Sequence, residues 1–406
     1  MLCALSVLVV VVNTVRAADL ATADILYAEG QFAAAEEIYR DLLQKKPDDS
    51  ALLRKTGMIA LWGNRLGEAV VLLGDALEAD PGNSDTALLL AEAEARRLNF
   101  ASAARLLRRG GREVPAAQLA SFSGQTPYAT ADSFRQTEIR FTRTDPLPVI
   151  QMRINGSEPT HFLIDTGGSE LVLDPEFAEQ VGAEVFGAES STFAAGQKAE
   201  VQVGRVDSVS VGTLTVRNVP VDLLPTKRFS AAAGGTRIDG IVGTILLSQF
   251  QFTLDYPNGQ LILRRRRATP PEGGVQMPFW MAGDHFMVTW GRVNDSEPVL
   301  LLMDTGLAGG GFVGPDSILS EAGIDVGGES FEGVGGAGAV KVTPFVVEQL
   351  ALGKAVAKNV TGFAGVFPPE LEHRFGFRIA GLVSHQFFRP YAVTFDFDSM
   401  TLTLHK

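Results

Sequence analysis

Two related stretches of this sequence decide its fold: Arg153–Gly167 reads RINGSEPTHFLIDTG, and Arg292–Gly306 reads RVNDSEPVLLLMDTG. Nine of the 15 aligned positions are identical without a gap, and both stretches end in Asp-Thr-Gly. The two aspartates, Asp165 and Asp304, are 139 residues apart. A duplication that stays in register over this length predicts two equivalent lobes that bring two carboxylates together.

Length and composition limit the classes of protein. A chain of 406 residues, 46% hydrophobic and 20% charged, is ordinary globular material with room for two or three domains. The formal net charge of −12 argues against a nucleic-acid partner, because such proteins carry a basic face. The same charge gives no electrostatic reason to bind anionic lipid.

The N-terminus predicts an exported protein. Leu2–Val12 is apolar apart from Ser6, which is too short for a membrane-spanning helix of about 20 residues but typical of the apolar core of a signal peptide. Val15-Arg16-Ala17 then provides a cleavage site. We therefore expect a signal peptide over residues 1–17, a periplasmic or secreted location and no stable transmembrane span. A buried first helix is the alternative. The single cysteine, Cys3, lies in this segment, so a mature chain would have no thiol.

Residues 18–115 carry a repeat with a period of 34 residues. Positions with this spacing hold the same or similar residues: Pro47, Pro81 and Pro115; Phe32, Leu66 and Phe100; Ala35, Ala69 and Ala103. A small residue where helices cross, with a proline after the second helix, predicts repeated helical hairpins. The segment resembles tetratricopeptide repeats, and the resemblance implies a surface that binds a protein partner. A purely structural helical array is the alternative.

A linker over 116–140 is predicted next, because Gly, Ser, Gln and Pro accumulate there. The pattern then changes to short alternating segments. Val149–Ile154 and Thr160–Ile164 are predicted strands around an Asn155-Gly156 turn. A short helix should follow each Asp-Thr-Gly, starting near Asp174-Pro175 in the first lobe.

The duplication continues to the C-terminus. Phe252–Asp255 matches Val393–Asp396 at an offset of 141, and Ile241-Val242-Gly243 is matched to Ile379-Ala380-Gly381 at an offset of 138. These matches predict lobe one over 141–268 and lobe two over 275–406. In both lobes the apolar-apolar-Gly element should pack beside the Asp-Thr-Gly loop, since glycine permits a close backbone approach.

Two aspartates in such loops suit hydrolysis. Carboxylates about 3 Å apart cannot both stay ionised, so they share one proton. One can then take a proton from a bound water while the other donates a proton to a carbonyl oxygen. Thr166 and Thr305 are expected to bond across to the opposite loop, and Gly167 and Gly306 to let the backbone turn sharply beside the carboxylates.

Residues 141–406 resemble the aspartic protease superfamily, with each lobe similar to a retropepsin-like domain. The resemblance implies an all-β, bilobal double barrel after the all-α repeats, with Asp165 and Asp304 as the catalytic dyad. It also implies that Ser169 bonds the outer carboxylate oxygen of its aspartate, a bond that Ala308 in lobe two could not make. Gly333, Gly335 and Gly336 would belong to a glycine-rich flap, whose counterpart in lobe one, Phe193–Gly196, is less clear.

The sequence therefore predicts an aspartic endopeptidase that cuts extended polypeptides and recruits a partner or substrate through its helical repeats. No cofactor and no metal are expected. One chain carries both aspartates, so a monomer is favoured over an obligate dimer. The alternative is a non-catalytic peptide-binding scaffold with a degenerate protease fold, which Ala308 favours.

Overall fold

A computed structural model describes residues 19–231, 233–269, 271–368 and 370–406. The predicted signal peptide lies outside these residues. Among the described residues, no helix is both long and apolar enough to cross a membrane.

Seven helices form the N-terminal part of the chain, here called the helical segment. They are α1 Leu20–Ala28, α2 Phe32–Lys45, α3 Ser50–Trp62, α4 Leu66–Ala79, α5 Ser84–Arg96, α6 Phe100–Arg109 and α7 Glu113–Ala120. Ala35, Ala69 and Ala103 are each fully buried, so these small side chains permit the close helix packing that the 34-residue period predicts. The same spacing of 34 residues separates Asp49 and Asn83. Their side chains accept hydrogen bonds from backbone N–H groups in the first turns of α3 and α5.

The rest of the chain is mainly β. Up to the end of lobe one its elements are β1 Gln136–Arg140, β2 Val149–Ile154, β3 Thr160–Ile164, β4 Leu171–Leu173, α8 Pro175–Gln180, β5 Glu184–Thr192, β6 Lys198–Val211, β7 Leu214–Leu223, β8 Gly240–Val242, α9 Thr244–Leu247, β9 Phe250–Asp255 and β10 Gln260–Arg265. Lobe two has β11 Val275–Pro278, β12 Trp280–Ala282, β13 Phe286–Val293, β14 Val299–Met303, β15 Phe312–Val313, α10 Asp316–Glu321, β16 Phe331–Gly335, β17 Gly338–Leu352, β18 Ala355–Ala364, α11 Glu370–Phe375, β19 Gly381–Val383, α12 His385–Phe388, β20 Ala392–Asp396 and β21 Thr401–His405.

Three sheets organise these strands. Lobe one has the order β2-β3-β8-β4-β7-β6-β5, and an added β2–β6 pairing curls the sheet toward a barrel. Lobe two repeats this plan as β12-β13-β14-β19-β15-β18-β17-β16, with an added β13–β17 pairing. The third sheet, β1-β10-β9-β20-β21-β11, contains strands of both lobes and joins them underneath.

The predicted linker over 116–140 is structured at both ends. Ala116–Ala120 completes α7, and Gln136–Arg140 forms β1, an edge strand paired with β10. Ile139 of β1 faces Leu261 across the pair and is buried. The sequence pattern did not predict β1, because the conformation of so short a strand depends more on pairing with β10 than on its own residues.

The helical segment shares a hydrophobic core with lobe two. Phe377 packs edge-on against Phe32 and Trp62, with ring centroids 5.0 and 5.4 Å apart. The Tyr27 hydroxyl donates to the Phe375 carbonyl at 2.6 Å. Arg96 of α5 also donates to a lobe-two carbonyl, at Met281. Lobe two therefore covers the side of the helical segment to which α1, α2, α3 and α5 contribute these residues.

We expect Phe377→Ala to lower the free energy of unfolding by about 3–5 kcal/mol, because it empties a buried aromatic site between the helices and lobe two. Urea denaturation measures the change. Val71→Ala on α4 is the control: its side chain is 60% exposed, so the change should stay within about 0.5 kcal/mol. Equal effects of the two substitutions would show that this shared core does not hold the parts together.

Candidate active site

The two Asp-Thr-Gly loops occupy equivalent places in the two lobes. Each loop follows a buried strand: β3 ends at Ile164, and β14 ends at Met303. The Asp165 N–H donates to the Val242 carbonyl at 3.1 Å, and the Asp304 N–H donates to the Val383 carbonyl at 3.0 Å. The same strand pairing in each lobe therefore sets the position of each aspartate.

Crossed hydrogen bonds between the threonines join the two loops. The Thr166 N–H donates to Thr305 Oγ1, and the Thr305 N–H donates to Thr166 Oγ1, both at 3.0 Å. Each hydroxyl also donates to a carbonyl of the other lobe, at Met303 and Ile164. Both threonines are fully buried, so water cannot replace these bonds.

The glycines bring the carboxylates together. The Gly167 N–H donates to Asp165 Oδ1 at 2.8 Å, and the Gly306 N–H donates to Asp304 Oδ1 at 2.7 Å. A methyl group added at Gly167 would lie 2.5 Å from Cγ of Asp304, and one at Gly306 would collide with the Asp165 carboxyl group. Each glycine thus packs against the aspartate of the opposite lobe, where no side chain fits.

The pKa of Asp304 is raised at this site. Burial raises the pKa of Asp304 well above its usual range, and the negative charge of Asp165 and a hydrogen bond with it raise that pKa further. The N–H groups of Gly306 and Gly167 oppose the shift without cancelling it. The site therefore keeps a proton at a pH at which an isolated aspartate has lost it.

Ser169 does not have the contact that the resemblance implies. Within the described residues its hydroxyl makes no hydrogen bond with Asp165, whereas its carbonyl accepts from the Ile245 N–H at 2.8 Å. Ala308, its counterpart, packs beside apolar residues of lobe one. Neither aspartate therefore has the hydrogen bond that was expected for Asp165 alone, and each accepts a backbone bond from its own glycine.

The match between Gly243 and Gly381 was also wrong. Gly240 pairs with Phe162, and Gly381 pairs with Leu301, so these two glycines are equivalent at an offset of 141. The counterpart of Gly243 is therefore Ser384, whose hydroxyl accepts from the Leu307 N–H at 3.2 Å. Gly381 has two apolar residues before it and two after it, so the local sequence allows either register, and only strand pairing separates them.

Both lobes contribute a flap. Gly333 and Gly335 lie on β16 and Gly336 at its hairpin tip, while Phe193–Gly196 forms the tip between β5 and β6. The tips touch: Gln197 Nε2 donates to the Ala339 carbonyl at 2.8 Å, and the Phe193 ring leaves no space for a side chain at Gly336. The segment that was unclear in the sequence is thus the tip of a second flap.

Potential metal-binding side chains are not clustered in the part of the chain that the structure describes. Among the described residues, no group of three or more His, Cys, Asp or Glu side chains is arranged to hold a metal ion.

Comparisons with known proteins cover both parts of the chain. Residues 150–245 match a family model described as aspartyl protease, and residues 63–125 match one described as tetratricopeptide repeat. No curated protein matches the chain. One similar solved structure is a retropepsin-like aspartic protease from Rickettsia conorii, with 21% identity over 34% of this chain and 95% of that chain and a TM-score of 0.24. By the family matches, the chain combines tetratricopeptide repeats with an aspartyl-protease-like domain.

Proposed function

We propose that the protein is an aspartic endopeptidase that hydrolyses peptide bonds of extended polypeptides with water activated by Asp165 and Asp304. The observation that carries the proposal is the crossed bonding of Thr166 and Thr305, which brings together two loops whose carboxyl groups face each other. The arrangement supports acid–base hydrolysis without a cofactor.

The two carboxyl groups act as an acid–base pair. The ionised member of the pair takes a proton from a water molecule whose oxygen attacks the peptide carbonyl carbon, and the protonated member donates its proton to the carbonyl oxygen. When the tetrahedral intermediate collapses, the C–N bond breaks, the first carboxyl group gives its proton to the amine, and the second recovers one from the intermediate.

The two flaps favour an extended substrate. A peptide lying between the aspartate loops and the hairpins β5–β6 and β16–β17 could bond to their backbones as an added strand. We further propose a monomer, because one chain supplies both aspartates. We propose a secreted or periplasmic location, because the apolar stretch Leu2–Val12 is typical of a signal peptide.

Partner recruitment by the helical segment is part of the same proposal. Lobe two covers one side of this segment, so we place the partner's surface on the sides left open, where Ile25 and Val71 are each 60% exposed. The alternative is a non-catalytic scaffold. The feature that favoured it, Ala308, deprives Asp304 of no bond that Asp165 receives from Ser169 among the described residues.

Asp165→Asn and Asp304→Asn should each lower peptide cleavage by at least about 100-fold, since each removes one acid–base group. The measurement is cleavage of a diverse peptide library between pH 3 and 8, where a carboxyl pair can share a proton. Asp207→Asn removes an exposed carboxylate of lobe one and is the control. Variants that cut as fast as the wild type would overturn the catalytic proposal.

Stability should depend on pH through Asp304. Its folded-state pKa is raised, so the folded protein binds more protons than the unfolded chain, and stability falls as pH rises from about 4 through the raised pKa. Asp304→Asn removes this loss. We expect the Tm of the variant minus that of the wild type to increase from pH 4 to pH 8, whereas Asp207→Asn shows no such trend. A constant difference would mean that the pair holds no extra proton.

Thr166→Val should be more damaging than Ser169→Ala. The valine leaves the buried Thr305 N–H without an acceptor, which costs about 1–3 kcal/mol of folding free energy and misplaces the carboxyl groups. Loss of the Ser169 hydroxyl should change cleavage by only about twofold. Urea denaturation and kcat/KM measure both effects, and a greater loss in Ser169→Ala would contradict this assignment.

A further inference from the structure

Asp222 and Phe363 occupy equivalent places in the two lobes. In lobe one, β4 runs parallel to β7 with Val172 opposite Asp222. In lobe two, β15 runs parallel to β18 with Val313 opposite Phe363. In lobe one, β4 follows the Asp165 loop and Asp222 lies on its neighbour β7. In lobe two, β15 follows the Asp304 loop and Phe363 lies on its neighbour β18. The two side chains therefore belong to matching walls of the cleft.

The wall in lobe two is apolar. Gly310, near the Asp304 loop, has the Phe363 ring on one side and the Leu307 side chain on the other, and a methyl group added there would lie 2.7 and 2.9 Å from them. Phe331 on the flap strand meets Phe363 edge-on, with ring centroids 5.8 Å apart, and is 49% exposed. An open aromatic surface therefore runs from the catalytic loop to the flap.

The wall in lobe one has acidic residues where lobe two has these two aromatic rings, and it has a third acid, Glu170. Asp222 corresponds to Phe363, and Glu170 immediately precedes β4 as Gly311 precedes β15. On the flap strands, Glu189 lies opposite Val201 as Phe331 lies opposite Val342. The duplication thus gives the cleft two walls of similar geometry and opposite chemistry.

Asp222 is the acid without a partner. Glu189 pairs with Arg112, which precedes α7, and Glu170 accepts from the Tyr128 hydroxyl at 3.2 Å. Asp222 is half-buried, and within the described ranges its carboxylate forms no hydrogen bond or ion pair. Burial raises the pKa of Asp222 to about 7, with contributions from the negative charges of Asp284 and Glu189. A cationic group in this wall would relieve that unfavourable charge.

We propose that Asp222, with Glu170 beside it, selects a lysine or arginine side chain of the substrate on the lobe-one side of the scissile bond. Phe363 and Phe331 select an apolar side chain on the lobe-two side. The substrates are then polypeptides with a basic and a hydrophobic residue on opposite sides of the cleaved bond. This inference rests on the proposed function and adds its substrate class. Asp222 acts by binding and not as a catalytic residue.

Cleavage of a peptide library, read by mass spectrometry, tests the selection. The wild type should enrich Lys or Arg on one side of the cut and Phe, Leu or Met on the other. Asp222→Asn should lower kcat/KM for lysine-containing peptides roughly 10- to 100-fold and leave their norleucine analogues nearly unchanged. Asp222→Glu, which keeps the charge, should retain the preference, and Asp207→Asn is the matched control. Cutting with no basic preference, or with one that survives Asp222→Asn, overturns the inference.

Peptide binding, measured in a variant that is expected not to cleave, separates this inference from the proposed function. In the Asp165→Asn chain, fluorescence anisotropy should show that a lysine peptide binds about tenfold more tightly than its norleucine analogue, and adding Asp222→Asn should abolish the difference. Equal affinities overturn the inference and leave the proposed function standing. Lysine-dependent binding together with no cleavage by the wild type supports the acidic wall and overturns the proposed function.

Discussion

The crossed hydrogen bonds between Thr166 and Thr305 are the constraint on which the site depends. Each threonine offers its hydroxyl to the other loop's backbone N–H, and both are fully buried. An unpaired N–H in this position would cost about 1–3 kcal/mol, so neither loop is fully satisfied without the other. The two aspartates are therefore held together by the backbone of their loops, at a distance where two negative charges are unfavourable.

A second contact between equivalent residues of the two lobes supports this arrangement. In the joining sheet, β9 and β20 pair with Thr253 opposite Thr394, and their hydroxyls are 2.9 Å apart. Phe252 and Phe395 stack beside them with centroids 4.6 Å apart. The lobes thus meet as equivalent surfaces twice, once at the polar loops and once in the hydrophobic sheet, which limits how far one lobe can shift against the other.

The helical segment is tied to the β part of the chain as well. Its aromatic residues Tyr27, Phe32 and Trp62 pack against Phe375 and Phe377, and Arg112 forms an ion pair with Glu189 on β5. The repeats therefore help to position one wall of the cleft in addition to any partner that they bind. Departures from symmetry concentrate at that wall, where acidic residues stand in place of aromatic ones.

Local patterns in the sequence were enough to predict the two lobes, the helical hairpins and the residues Asp165 and Asp304, because periodicity and duplication are properties of neighbouring residues. The tertiary structure decided what depends on strand pairing. It made Ser384 and not Gly381 the counterpart of Gly243, left the Ser169 hydroxyl without a hydrogen bond to Asp165 among the described residues, and brought Phe193–Gly196 against the other flap. It also set Asp222 in the place of Phe363. A register is chosen by the whole sheet, so no single stretch of sequence could specify these contacts.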